Sequence, residues 1–326
     1  MGYNPPFDIT NKIVSLVAEI VELATKVKAT TKLESKPTLR RENRIKTIHG
    51  SLAIEQNTLS LEQVTAVLNG KRVLAPPKDI EEVKNAFEIY DIMETLNPYS
   101  IDDLLKAHGV LMKGLVKSAG AFREEAAGVA DYQTGDIIHV GTLPQYVPKL
   151  TQELLNWVEQ NEAHTLIKSC VFHYEFEVIH PFLDGNGRLG RLWHTLLLAK
   201  WNPIFSYIPI ESMIYQHQNE YYKCFNFCNI NVNSTKFIVF MLSVIKEALQ
   251  ELNEQTCSNG TSSEQVEQLL RFCTSPKSRV QMQEFMGISG RKAFQTKILK
   301  PLLESGQLKM TIPDKPNSSK QKYIAD

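Results

Sequence analysis

The stretch "HPFLDGNGRLGR", His180 to Arg191, places four ionisable side chains and three glycines around one asparagine. His180 precedes Pro181, which pushes its backbone out of the α region, so the histidine is expected in an extended turn at the end of the preceding helix. Gly185 and Gly187 tolerate left-handed backbone and let a ligand come close, and Leu189, Leu192, Trp193, Leu196 and Leu197 then follow at helical spacing. A glycine-rich turn opening a helix aims backbone N–H groups and the positive end of the helix dipole at one point, which suits phosphate. Arg188 and Arg191 are neighbours on the first turns of that helix, and each offers a planar fork for phosphate oxygens. Asp184 is a hard oxygen ligand fit for a magnesium ion that also binds phosphates. His180 can act as a neutral base near pH 7. An EF-hand would need other residues where Arg188 and Leu189 stand, and a Walker A loop needs Gly-Lys-Ser/Thr, so neither pattern fits.

Outward from this stretch most of the chain reads as helix. Ile13, Leu16, Val17, Ile20, Val21 and Ala24 recur at three and four residues, and Ser60 with Gln63 forms a capping box that Gly70 brings to a stop. A second start is expected at Asp79 with Glu82, and further helices over 101–117, 145–159, 163–176, 187–199, 216–228 and 235–252. "GVADYQTGDIIHVG", residues 128–141, breaks the pattern with terminal glycines, a turn at Thr134-Gly135-Asp136 and β-branched flanks, which predicts a β-hairpin acting as a flap over a site. "NEQTCSNGTSSEQ", residues 253–265, is polar and aperiodic and reads as a linker. Helical patterns around 263–273, 280–286 and 290–304 are followed by an alternating Leu308, Met310, Ile312, a turn through 314–317 and a returning strand at 321–324. Three helices and a two-stranded ribbon are the layout of a winged helix-turn-helix. Its recognition helix would start at Ser289 and carry Arg291, Lys292, Gln295 and Lys297.

The predicted organisation is a helical N-terminal region over 1–100, a catalytic core over 101–252, a linker over 253–261 and a winged-helix module over 262–326. With 326 residues, 43% hydrophobic and 22% charged, the chain falls in the ordinary globular class. Its net charge is zero, yet from residue 261 onward there are 11 basic against 6 acidic residues, so DNA is a partner to weigh for residues 262–326. The five cysteines are scattered without a C-x-x-C pair, which argues against a disulfide framework or zinc site. No signal peptide or membrane span is read, and a cytoplasmic setting without membrane contact is expected.

The quoted stretch resembles the signature of the Fic (filamentation induced by cAMP) family, His-Pro-Phe-x-Asp-Gly-Asn-Gly-Arg-x-x-Arg, at every position. The likeness extends over about residues 40–250 and implies a mainly α Fic-type bundle that transfers AMP from ATP to a Ser, Thr or Tyr hydroxyl of a target protein. It implies His180 as the base, Asp184 as the Mg²⁺ ligand, Gly185, Asn186 and Gly187 in the anion cradle, and Arg188 and Arg191 on the phosphates. "NEYYKCF" resembles the family's tyrosine segment near the adenine, which implies a base contact by Tyr221 or Tyr222. "HGSLAIEQNTLS", residues 49–60, resembles the family's inhibitory motif, with Ser51 and Glu55 in place and Gln56 standing where relatives have Gly or Asn. Glu55 would then pair with Arg191 and deny it to the γ-phosphate. Two further readings stay open: an enzyme that removes AMP, and a DNA-binding regulator whose Fic domain senses nucleotide. Monomer and homodimer are equally open.

Overall fold

The computed structural model describes residues 3–31, 36–130, 137–258, 263–288, 294–314, 318 and 321–325. The chain divides into two compact units, residues 1–252 and 253–326. The N-terminal region and the core lie together in the first unit. Their apolar side chains close into a single core running from Ile13 to Leu252.

The first unit is helical: α1 Asn11–Thr31, α2 Pro37–Ile54, α3 Leu61–Leu68, α4 Pro77–Ile92, α5 Ile101–Leu111, α6 Val147–Gln160, α7 Thr165–Ile179, α8 Asn186–Trp201, α9 Ile210–Gln216, α10 Gln218–Asn231 and α11 Thr235–Ser258. At its centre α7 packs against α8, and both bury nearly every residue, the polar His173, Glu177, Arg188, Arg191 and His194 among them. The helix α2 lies on α9 so closely that a Cβ at Gly50 would stand 2.7 Å from the backbone of Glu211 and Ser212. That contact fixes where the end of α2 is delivered.

Several expected boundaries move. The helix from 101 stops at Leu111, where Met112 caps it and Gly114 turns with φ +73. The helix expected over 216–228 runs from Gln218 to Asn231, after a separate α9 that ends at Gln216. The start expected at Asp79 lies at Pro77, since proline suits the first helical position; the Asp79 carboxylate instead accepts the N–H and hydroxyl of Thr58, at 3.0 and 2.5 Å. The capping box at Ser60 and Gln63 forms as read. The polar stretch from 253 is not all linker: α11 continues through Ser258.

The hairpin pairs β1 Gly128–Ala130 with antiparallel β2 Ile137–Val140, in the register Gly128 to Val140, with an irregularity between Val129 and Ala130. Its expected turn at Thr134-Gly135-Asp136 lies outside the described residues.

The second unit holds α12 Ser263–Phe272, β3 Lys277–Ser278, α13 Arg279–Phe285, a π turn Gln295–Leu299, α14 Lys300–Glu304, β4 Leu308–Met310 and β5 Lys322–Ala325. The ribbon expected at its end gains a third strand, giving a sheet in the order β3-β5-β4 with all pairs antiparallel. Two residues are too few to show as an alternation in sequence. Phe294, Ile298 and Leu302 face the small core together with Leu269, Met282 and Leu308. Ser289, Arg291 and Lys292 lie outside the described residues, and Gln295 is exposed.

Candidate active site

The loop between α7 and α8 is built by backbone capping. His180 is the C-cap of α7, with φ 51 and ψ 64. The expectation of extended backbone is corrected here: proline excludes the right-handed region, and the helix end selects the left-handed one. His180 donates its N–H to Phe176 O at 2.9 Å. Its carbonyl accepts from Arg123 Nε at 2.6 Å. Arg123 is 2% exposed and also bonds the carbonyls of Ile179, Glu125 and Thr142, so one guanidinium ties the end of α7 to the segment leaving the hairpin. A Cβ on Gly141 in that segment would meet His180 Cβ at 3.0 Å, so hairpin and histidine adjoin. Nothing in the sequence around Arg123 signalled this role.

Asn186 opens α8 after Gly185, whose φ of 87 needs glycine. The Asn186 amide donates to Phe182 O at 2.8 Å and accepts from Phe182 N at 2.9 Å. Its side chain thereby shapes the loop. The loop rests on His108 of α5, which the sequence did not single out. The His108 ring stacks on Phe182 at 3.7 Å, accepts from Gly120 N at Nδ1 and so carries its proton on Nε2, which donates to Asp184 O at 3.0 Å. Burial lowers its pKa, which keeps the ring neutral.

The two motif arginines are both buried and both engaged. Arg188 is 4% exposed; its Nη2 donates to Asp184 Oδ1 at 2.6 Å and its Nη1 to Glu82 Oε1 at 2.9 Å. Asp184 Oδ1 also accepts from Gly185 N, whereas Oδ2 enters none of these bonds and the carboxylate is 43% exposed. An exposed carboxylate oxygen beside an anion cradle fits a magnesium ion shared with phosphates.

Arg191, 1% exposed, sits one turn deeper. It donates Nε to Ser51 Oγ at 3.2 Å, and Nη2 to Ser51 O at 2.9 Å and to Glu55 Oε1 at 2.8 Å. Burial alone would depress its pKa, but Glu55 more than offsets this and the value is raised. Glu55 caps the end of α2. The chain then turns through Gln56 with φ 66, while Gln56 N bonds Ala53 O and Asn57 N bonds Leu52 O, the two bonds of a Schellman motif. Glutamine thus occupies the left-handed position where the resembled motif has Gly or Asn. A Cβ on Gly187 would meet Glu55 Oε1 at 2.2 Å and Arg191 Nη1 at 3.0 Å, so the Glu55 carboxylate lies directly over the glycine turn at the start of α8.

Tyr222 donates its hydroxyl to Ile54 O at 3.4 Å, and Gln218 Nε2 bonds the same carbonyl at 2.9 Å. Burial and Glu55 push the Tyr222 pKa up to about 12. Tyr221 instead faces the interior, 3.0 Å from His173 Nε2. Around it Glu177 is pushed up to about 8 by burial and by Glu55, and burial drives His194 down to about 3.

A family model described as "Fic/DOC family" matches residues 98–198, and one described as "Filamentation induced by cAMP protein Fic-like, C-terminal domain" matches residues 264–324. Among curated relatives, "Protein adenylyltransferase fic-1" of Caenorhabditis elegans is 28% identical over 207 residues, 59% of this chain and 38% of that protein. "Probable protein adenylyltransferase aq_aa38" of Aquifex aeolicus (strain VF5) is 30% identical over 161 residues, 46% of each. The chain thus spans less than half the length of these relatives. The crystal structure of a Fic family protein from Desulfovibrio desulfuricans G20 is 42% identical, with a TM-score of 0.77 covering 99% of this chain and 98% of that one. A Fic domain containing signaling protein from Bacteroides thetaiotaomicron VPI-5482, at 20% identity and a TM-score of 0.62 over 73% of this chain and 97% of that one, shares the fold.

Proposed function

The chain belongs to the Fic family, and we propose that it is a protein adenylyltransferase, held at rest by Glu55. One observation carries this reading: a carboxylate, Oε1 of Glu55, occupies the space over Gly187 while bonded to Arg191 at 2.8 Å. The helix start of α8 and a buried guanidinium together form an anion site, and the chain's own anion fills it. A nucleotide phosphate would occupy the same space once Glu55 withdraws.

In this reading ATP lies with its phosphates along Gly185 to Gly187. Arg188 and Arg191 grip the phosphates, and Asp184 presents an oxygen to Mg²⁺. The metal, when bound, would neutralise phosphate charge. Tyr222 contacts the base, and the hairpin aligns the target backbone beside His180. Nε2 or Nδ1 of His180 takes the proton of a Ser, Thr or Tyr hydroxyl as its oxygen bonds to the α-phosphorus, and the bond to pyrophosphate breaks. The work is positioning and charge stabilisation, as for phosphoryl transfer generally.

Incubating the protein with α-labelled ATP and Mg²⁺ tests the reading. Glu55→Gly should label itself or a lysate protein with AMP well above wild type, and His180→Ala should abolish the label. Equal labelling of Glu55→Gly and wild type would remove the inhibitory role; no AMP adduct in any variant would remove the transferase.

A further inference from the structure

We propose that Glu82 is a positioning residue whose two carboxylate oxygens couple the phosphate grip of Arg188 to the seating of the inhibitory segment; this rests on the transferase reading above. Glu82 lies on α4, is 5% exposed, and faces two ways. Its Oε1 accepts from Arg188 Nη1 at 2.9 Å, and its Oε2 accepts from Asn57 Nδ2 at 2.8 Å. Asn57 follows Glu55 by two residues. Its amide also donates to Asp79 O at 3.1 Å, and its side-chain oxygen accepts from Leu59 N at 3.2 Å. Thr58 is bound to Asp79 in turn. The stretch leaving Glu55 is therefore pinned to the first turns of α4, and Glu82 is the pin that reaches the catalytic loop.

The geometry assigns different duties to the two carboxylates on Arg188. Asp184 is 43% exposed and faces the metal position, so it is the partner that can exchange. Glu82 is buried and remains. A buried guanidinium that loses its carboxylate carries an uncompensated charge and gives up a fixed direction. Glu82 thus holds Arg188 ready when Asp184 turns to a cation. Any pull of phosphate on Arg188 acts on the same carboxylate that Asn57 grips. Seating the segment restrains Arg188, and engaging Arg188 loosens the segment; the coupling is reciprocal, as any linkage must be.

The test measures ATP·Mg²⁺ affinity of the intact chain by calorimetry in wild-type and Glu55→Gly backgrounds, beside AMP labelling. Asn57→Ala should tighten ATP binding several-fold in the wild-type background and by less in Glu55→Gly, where the restraint on Arg188 is released but no inhibitory carboxylate remains to leave. Glu82→Gln has one acceptor oxygen where the carboxylate has two, so it can serve Arg188 or Asn57 but not both. It should weaken ATP binding of Glu55→Gly about tenfold, and should abolish the response of the wild-type background to Asn57→Ala. A role confined to stability would shift both backgrounds alike. Equal effects of Asn57→Ala in the two backgrounds, or an unchanged affinity of Glu55→Gly upon Glu82→Gln, overturns the proposal. Should Glu82→Gln fail to fold, the Asn57→Ala comparison still decides. ATP binding by Glu55→Gly without any AMP product would sink the transferase reading alone; absence of ATP binding would sink both.

Discussion

Replacing Gly187 with alanine should change sign according to whether Glu55 is present. The added Cβ would stand 2.2 Å from Glu55 Oε1, the free end of a flexible side chain, so the carboxylate is displaced rather than the backbone. Displacement breaks the Arg191–Glu55 bond. A hydrogen bond to a charged group contributes about 1.5–3 kcal/mol. Because Glu55 is 31% exposed, solvent takes up part of that loss, leaving about 1–2 kcal/mol. Against it stands the helical gain of alanine over glycine, about 0.5–1 kcal/mol, available because Gly187 lies within α8 without a left-handed φ. In wild type the two terms leave a net loss of up to about 1.5 kcal/mol. In Glu55→Gly the contact with the carboxylate is gone; Arg191 Nη1, at 3.0 Å from the added Cβ, is the end of a flexible side chain that needs to give by only a few tenths of an ångström, so most of the gain remains.

The assay is thermal unfolding of four proteins: wild type, Gly187→Ala, Glu55→Gly and the double variant. At roughly 2–4 °C per kcal/mol for a domain of this size, Gly187→Ala should lower or leave Tm in the first background and raise it by about 1–4 °C in the second. ATP affinity should behave differently. The methyl fills the cradle itself, so the double variant should bind ATP at least about tenfold more weakly than Glu55→Gly, a loss of about 1.4 kcal/mol. The same Tm change in both backgrounds would refute the placement of Glu55 over the cradle.

Three further outcomes follow from individual side chains. The Glu177 pKa, pushed up to about 8 by burial and Glu55, means that the folded state binds a proton more tightly than the unfolded one; stability contributed by that proton is present at low pH and lost as pH rises from about 4.5 through 8. Glu177→Gln should therefore raise Tm more at pH 8 than at pH 5, and the difference between the two proteins cancels the opposite acid sensitivity of His173 and His194. Gln56→Gly relieves a left-handed residue at the end of α2 and should stabilise the protein by about 0.5–1 kcal/mol, read as a Tm rise, with weaker AMP labelling because Glu55 is held longer. Arg123→Ala removes the cap on α7 and the tie to Thr142 and should lower Tm by several degrees and abolish labelling by Glu55→Gly, while Arg123→Lys should not restore it, since a single ammonium cannot reproduce the fork.

The site divides by sequence distance into what could and could not be read. The turn, the start of α8 and the relation of Asp184, Arg188 and Arg191 lie within twelve residues, where glycine preferences and helical spacing act locally. The bonds that decide the state of the site are remote: Arg123 reaches His180 across 57 positions, Arg188 reaches Glu82 across 106, and Arg191 reaches Glu55 across 136. Only the last was foreseen, through a recognisable motif rather than any local rule. In sequence Glu82 reads as no more than the partner of Asp79 in a helix start. Asp79, read the same way, proved to be an anchor for Thr58. In both cases a local explanation was sufficient, and so concealed the tertiary one.

Three guanidiniums meet here, Arg123, Arg188 and Arg191, each at most 4% exposed, and their counter-groups rank them by how readily they yield. Arg123 is bonded by carbonyls, and the two at the C-terminal, negative end of α7, Ile179 O and His180 O, cannot leave without unwinding the helix end. Arg188 has two carboxylates, one buried and one half in solvent, so it can exchange one partner and keep its charge compensated. Among the described residues the carboxylate bonded to Arg191 is that of Glu55, carried at the end of a helix whose next residue is in a strained backbone region. A buried cation with one removable counter-ion demands an anion whenever that counter-ion leaves. On the proposed reading, the same demand that keeps Glu55 seated would draw a phosphate in once it departs, so inhibition and nucleotide binding would be two answers to one requirement of Arg191.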